Sequence, residues 1–312
     1  MKGLKPVAVA FASLSLLAGV ALAQEQRLSI GTGGTGGLFY VIGAGMAETL
    51  NQNMDNTTAR AEVTGASVEN IRRVTQGQME FGFSSSSTLY EAMAGEGPFD
   101  GNPLDVQAIA YLYPAVLQIA TIDSTGVTHL SELEGKRVSL GPPGSNAAVL
   151  AQRVLEAYGV FDSVRPQFLS YNEGVSALTN GQLDATVVLA GAPTAALIDL
   201  DSQRNMRLLP VQANEVVDLL RAYPYYQLYD IPAGTYSGQT EDVTVINDPA
   251  TLFTSSGYSE ELIYDITRAL FDNLDQLGEV HPQAAAISLD TATNTPIGLH
   301  PGARRYFNEA RQ

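Results

Sequence analysis

Residues 29 to 50 read SIGTGGTGGLFYVIGAGMAETL. Gly31, Gly33 and Gly36 stand in the spacing G-x-G-x-x-G, behind the strand-like Arg27-Leu28-Ser29-Ile30. After them Leu38, Val41, Ile42, Gly45 and Met46 recur at intervals of three and four, which predicts a helix. A strand, a glycine turn and a helix in that order open an α/β unit. The same order is a dinucleotide fingerprint when an acidic residue closes the second strand about 20 positions on. Here the second strand, read as ARAEVT, ends on Val63-Thr64-Gly65, with Glu62 inside it. The fingerprint is incomplete, so an exported dinucleotide oxidoreductase is the weakest reading of this loop.

Strand and helix signals keep alternating beyond it. Strands are expected at MEFGFS, VQAIAYLY, the long VLQIATIDSTGV, KRVSLG, RPQFLSY, DATVVLA and RLLPV. Helices are expected at SVENIRRVTQG, NAAVLAQRVLEAYGV, EGVSALTNGQ, PTAALIDLD and, as one long element, SEELIYDITRALFDNLDQLGEV. VTVINDPATLFTSSG reads as extended, and a Tyr/Pro-rich stretch from about residue 222 to 242 carries no clear element. The expected fold is α/β: two mostly parallel sheets flanked by helices, two crossover segments and a ligand cleft. The expected division is residues 1–23 as a signal peptide, 24–117 and 243–312 as lobe 1, and 118–242 as lobe 2.

Five strand-to-helix turns share one chemistry of small residues, hydroxyls and open backbone N–H groups. They are Gly33-Gly34-Thr35-Gly36-Gly37, Thr64-Gly65-Ala66-Ser67, Ser84-Ser85-Ser86-Ser87-Thr88, Pro142-Pro143-Gly144-Ser145-Asn146 and Gly191-Ala192-Pro193-Thr194. In open α/β sheets ligands bind at the carboxyl ends of strands. Helix N-termini there suit a carboxylate or a phosphate without any basic side chain. Gly33, Gly34, Thr35, Gly36, Gly37, Thr64, Gly65, Ser67, Ser85, Ser86, Ser87, Gly144, Ser145 and Asn146 are the candidate ligand contacts. Tyr40, Tyr90 and Tyr113 are candidates for framing the mouth.

The combination of IGTGGTGGLFYVIGAGMAETLN, AEVTGASVENIRRVTQGQMEFGFS, GKRVSLGPPGSNA, LAGAPTAALIDL, YPYYQLYDIPAGTYSGQTEDV and LHPGARRYF resembles the TAXI solute receptors. These are the substrate-binding subunits of one class of tripartite ATP-independent periplasmic (TRAP) transporters. The resemblance spans essentially the whole expected mature chain. It implies a two-lobed type II periplasmic binding protein, no enzyme and no cofactor. It implies a small organic acid or amino acid as ligand, in the glutamate, glutamine and 2-oxoglutarate class. It also implies an ion-gradient-driven permease with fused small and large subunits as partner. Carried over by position, the site falls on Gly33, Gly34, Thr35, Gly36, Gly37 and Tyr40, on Gly144, Ser145 and Asn146, and on Ala190, Gly191 and Ala192. One departure bears on specificity. The family often has Gln-Ser-Asp after the third strand, where this chain has Ser84 to Ser87. Without that carboxylate a ligand ammonium loses its counter-charge, unless Glu69 or Glu91 supplies one. The expectation is a ligand without an amino group, a dicarboxylate or a 2-oxo acid. A receptor for an ATP-driven importer would carry the same binding chemistry.

Composition agrees with export. Lys2 and Lys5, the apolar run PVAVAFASLSLLAGV and Ala21-Leu22-Ala23 read as a signal cleaved after Ala23, which places the chain in the periplasm. Removing two of the 17 basic residues leaves 15 against 33 acidic ones, a net charge of −18. Such a surface repels nucleic acid and anionic membranes. The chain has no Cys and only His129, His281 and His300, none at a metal-ligand spacing. These histidines are expected as surface or helix-capping residues. No direct membrane insertion is expected after cleavage, and monomer is the default.

Overall fold

The computed structural model describes residues 25–311. The expected signal, residues 1–23, lies outside the described residues.

The first four strands are β1 (Gln26–Gly31), β2 (Thr57–Glu62), β3 (Phe81–Ser85) and β4 (Gln107–Tyr113). Helices α1 (Leu38–Asn53), α2 (Ser67–Thr75) and α3 (Ser86–Ala94) connect them. The chain then leaves for a second sheet with β5 (Val116–Ile122), β6 (Arg137–Ser139), α4 (Asn146–Ala157), β7 (Arg165–Gln167) and α5 (Tyr171–Thr179). That part continues through β8 (Ala185–Ala190), α6 (Ala195–Gln203), β9 (Met206–Leu208), α7 (Val217–Ala222), β10 (Gln227–Ile231) and β11 (Val243–Asn247). It returns with β12 (Ala250–Thr254), and α8 (Glu260–Phe271), α9 (Leu274–Gly278) and α10 (Pro301–Ala310) close the first part. The first sheet runs β2-β1-β3-β12-β4; the second runs β10-β11-β5-β8-β6-β7, with β9 on β5. Each sheet with its helices forms one lobe.

The sheets are mixed rather than mostly parallel. β1 pairs in parallel with β2 and β3, and β6 with β7 and β8, as βαβ units require. The strands that carry the chain between lobes enter antiparallel: β12 against β3 and β4, β5 against β8 and β9. β5, β8 and β12 are buried along their whole length, because both sheet faces are covered.

VTVINDPATLFT divides between the sheets at Asp248-Pro249, since Pro249 has no N–H for a ladder. The return therefore lies at 248–249, and β11 belongs to the second sheet. There Asp248 N–H donates to the Ala115 carbonyl across 2.8 Å, so the two crossings run side by side. The long helix expected from Ser259 to Val280 breaks after Phe271. Asn273 Nδ2 donates to the Ala269 carbonyl and Asp272 accepts from Tyr306, so polar side chains there compete with the helix backbone. β10 lies in the Tyr/Pro-rich stretch as an exposed edge strand, which has no buried face to leave a period-two signal. His300 caps α10, its Nδ1 accepting from Gly302 N–H.

Candidate functional site

Each βα turn of a parallel unit leaves a helix N-terminus at the carboxyl edge of its sheet, and here the two edges face one another. A cavity of about 30 Å³ lies between them. From the first lobe, Gly33, Gly34 and Gly37 lead into α1, whose Leu38 and Phe39 also line the space. Ala66 and Ser67 bring the start of α2, and Ser85 that of α3. From the second lobe come Pro142, Ser145, Asn146 and Ala147 at the start of α4, Tyr171 as the first residue of α5, and Leu189 of β8.

Five helix N-termini thus meet at one cavity, and no lining side chain is charged. First-turn N–H groups have no partner within their own helix, and each terminus carries roughly half a positive charge. α1 and α4 have no acidic residue in their first turn to offset it. α3 has none of its own, but its Ser86 and Ser87 N–H groups are taken by the Pro249 carbonyl and by Asp248 Oδ1, so this terminus is the most nearly offset of the five. The acid of α2, Glu69, accepts from Gly65 N–H at 2.7 Å, and that of α5, Glu173, closes a capping box with Ser170. Ala66 is held at φ 72°, ψ −143°, a region costly for a side chain. Thr64 Oγ1 accepts its N–H at 3.0 Å and fixes that turn. Tyr171 OH bridges the Leu189 N–H and carbonyl, and burial pushes this phenol up to about 12. It is therefore neutral at physiological pH.

Of the residues singled out in the sequence, Gly33, Gly34, Gly37, Ser67, Ser85, Ser145 and Asn146 border the cavity. The others stand elsewhere. Thr35 is exposed, and a Cβ on Gly36 would meet Asn172 of α5. Tyr40 is half-buried on α1 but off the cavity, where Phe39 takes the place expected for it. Thr64 bonds Asn70 Oδ1 and the Thr32 carbonyl, and Gly65 faces the Pro143 carbonyl of the other lobe. Ser86 bonds Thr251. Tyr90 is exposed and stacks on Tyr225 with ring centroids 5.6 Å apart. Tyr113 is fully buried at the crossing, and Gly144 takes φ 76° in the turn before α4. Ala190 is buried in the core of the second lobe, whereas the first lobe covers Gly191 and Ala192: Gly191 packs under Leu38 and Gln283, and Gln283 Nε2 donates to the Ala192 carbonyl.

Ser87 meets a carboxylate, but not at the cavity. Its N–H donates to Asp248 Oδ1 at 3.0 Å, and its hydroxyl donates to Oδ2. Asn146 Nδ2 donates to the same Oδ2 at 2.6 Å. Asp248 thus brackets α3 of one lobe and α4 of the other. Burial pushes it up to about 6, against the pull of the Ser87 and Asn146 hydrogen bonds. Glu69 caps the Gly65 turn and Glu91 pairs with Arg153. No carboxylate side chain therefore lines the cavity.

Tyr171 is hidden in the sequence because RPQFLSY reads as strand to its end. The pair Ser170 and Glu173 is a capping box and marks the start of α5. Ala66 is hidden because a positive φ is expected of glycine. The acidic residue of the dinucleotide reading, Glu62, is held by Arg73 and Arg60 at 2.8 and 3.0 Å. Among the described residues no cluster of His, Asp or Glu could hold a metal ion, and no helix is long and apolar enough to cross a membrane.

Solved structures share this architecture. A protein of Bordetella bronchiseptica RB50 superposes with a TM-score of 0.57 at 13% identity, over 92% of this chain and 98% of that one. A periplasmic transporter gives 0.54 at 14% identity, over 93% and 94%. The binding-protein component of an ABC phosphonate transporter from Pseudomonas aeruginosa gives 0.53 at 10%, over 83% and 79%. These likenesses show the two-lobed α/β fold of periplasmic binding proteins. The NMT1-like family matches residues 30–310, and this chain belongs to that family.

Proposed function

We propose that this chain is a periplasmic solute receptor that closes its two lobes around a small carboxylate without an ammonium group. A dicarboxylate or 2-oxo acid such as 2-oxoglutarate is the favoured ligand, and a TRAP permease the partner. The observation that carries this reading is the meeting of five helix N-termini at a cavity with no charged side chain. Hydrogen bonds from N–H groups to an ionised ligand are worth roughly 1.5–3 kcal/mol each. Three or four account for the about −8 kcal/mol of a micromolar complex. A ligand ammonium would be desolvated there without a counter-charge, at a cost of several kcal/mol.

In the observed conformation the cavity holds little more than a water or two. Capture then needs the lobes to part about the two crossings at 114–115 and 248–249 and to close again. The same site chemistry would serve a receptor for an ATP-driven importer, and a phosphonate or sulfonate would meet the same N–H groups. A thermal-shift screen separates these. A ligand that binds only the folded chain raises the melting midpoint. Dicarboxylates and 2-oxo acids should raise it most; a response confined to amino acids or neutral solutes would overturn the ligand class.

A further inference from the structure

Away from the cavity the lobes meet through a second, charged contact. Glu91 of α3 belongs to the first lobe and Arg153 of α4 to the second. Their side chains are 2% and 11% exposed, and Arg153 Nη1 lies 2.7 Å from Glu91 Oε1. Tyr225 OH donates to that same oxygen at 2.7 Å, and Arg153 Nη1 also donates to Tyr226 OH at 2.7 Å. The guanidinium sits 4.0 Å from the centre of the Tyr223 ring. Burial, and then the Glu91 carboxylate, push the Tyr225 phenol up, so it remains a donor at neutral pH.

Every donor to this carboxylate comes from the opposite lobe. Its other oxygen, Oε2, is buried without a partner, beside Gly97 at φ 54°, where a Cβ would stand 2.5 Å away. None of these residues lines the cavity. The carboxylate dips into a socket of Arg153 and three tyrosines, while each lobe has its own hydrophobic core. A buried ion pair adds little net stability over an apolar pair of equal volume. Losing one partner strands the other charge in the interface, and that cost falls only on the closed arrangement.

We propose that Glu91 and its Arg153–tyrosine socket form a closure clamp that sets how long the receptor holds its ligand. This rests on the solute-receptor reading. Ligand binding favours the closed lobes, and the clamp adds to that preference without touching the ligand. The cavity then governs which solute is taken, and the clamp governs its release.

The absence of Cys allows a test on the whole chain without background labelling. V63C and F168C place one spin label on each lobe, at sites 57% and 51% exposed. Inter-label distances are measured without ligand, and 2-oxoglutarate dissociation rates are measured alongside. E91Q should lengthen the distances and raise the dissociation rate about tenfold or more, with association changed less than about threefold. R153K, which keeps the charge but not the planar stack on Tyr223, should fall between parent and E91Q. E91M/R153M, with no charge left to strand, should recover most of both readouts. Circular dichroism melts report whether each variant is folded. Parent-like distances in E91Q and R153K, or a double variant no better than E91Q, would overturn the clamp. Failure of the parent to bind any anion would instead overturn the receptor reading, and the distances would still decide the clamp.

Discussion

The cavity and the joint beside it lie in one cleft and use opposite chemistry. Around the cavity the positive character comes from backbone N–H groups at helix starts, and no side chain there is charged. In the joint the charge sits on side chains: Asp248 between Ser87 and Asn146, and Glu91 against Arg153. Backbone donors fixed by secondary structure cannot swing away to find another partner, so they stay directed at an incoming anion. Side-chain charges satisfy one another and hold two lobes in one arrangement. On the proposed reading the cleft keeps binding and closure on largely separate residues, and Asn146, which borders the cavity and bonds Asp248, is shared by both.

The sharpest way to break this separation is to put a fixed charge at the cavity. Ser145→Asp keeps an N-cap acceptor for α4 but neutralises one of the five termini. Like charges in a closed site cost several kcal/mol, so affinity for a dicarboxylate should fall about 100-fold or more, with the melting midpoint of the free chain little changed. Unchanged affinity would mean that the ligand lies elsewhere. Closure can be opposed without any change of charge. A Cβ on Gly65 would stand 2.6 Å from the Pro143 carbonyl of the other lobe. Gly65→Ala should weaken binding about tenfold through incomplete closure, read as a smaller ligand-induced compaction in small-angle scattering. Normal compaction would show that the turn yields.

The third effect falls on stability rather than affinity and concerns the joint alone. Burial pushes Asp248 up to about 6 in the folded chain, well above the ordinary aspartate value of about 4. The unfolded chain releases its proton first, so this group favours folding below about pH 4 and loses that contribution as pH rises to about 6. The loss is on the order of 3 kcal/mol at neutral pH. Asp248→Asn cannot ionise. Its melting midpoint should fall less between about pH 4 and about pH 7 than that of the parent. Equal falls would remove Asp248 from the account.

The turns were legible in the sequence because glycine, serine and asparagine before an apolar period mark helix starts. Ser145 and Ser67 are examples. What was not legible is which turns face one another. That depends on the crossings, where a single Asp-Pro divides a run that reads as one extended segment. The four serines show the limit. Ser84 to Ser87 are alike as letters, yet only Ser85 reaches the cavity, and Ser87 turns to Asp248, 161 residues away in the chain. Glu91 shows it again: on the sequence it is one more helix acid, and only the packing of α3 against α4 makes it a buried ion.

Calorimetric titration of the purified chain with 2-oxoglutarate and with glutamate near neutral pH tests the central claim most directly. An uncharged cavity ringed by helix N-termini should bind 2-oxoglutarate in the micromolar range, and glutamate about tenfold or more weaker. Tighter glutamate, or no binding of any small carboxylate, would contradict it.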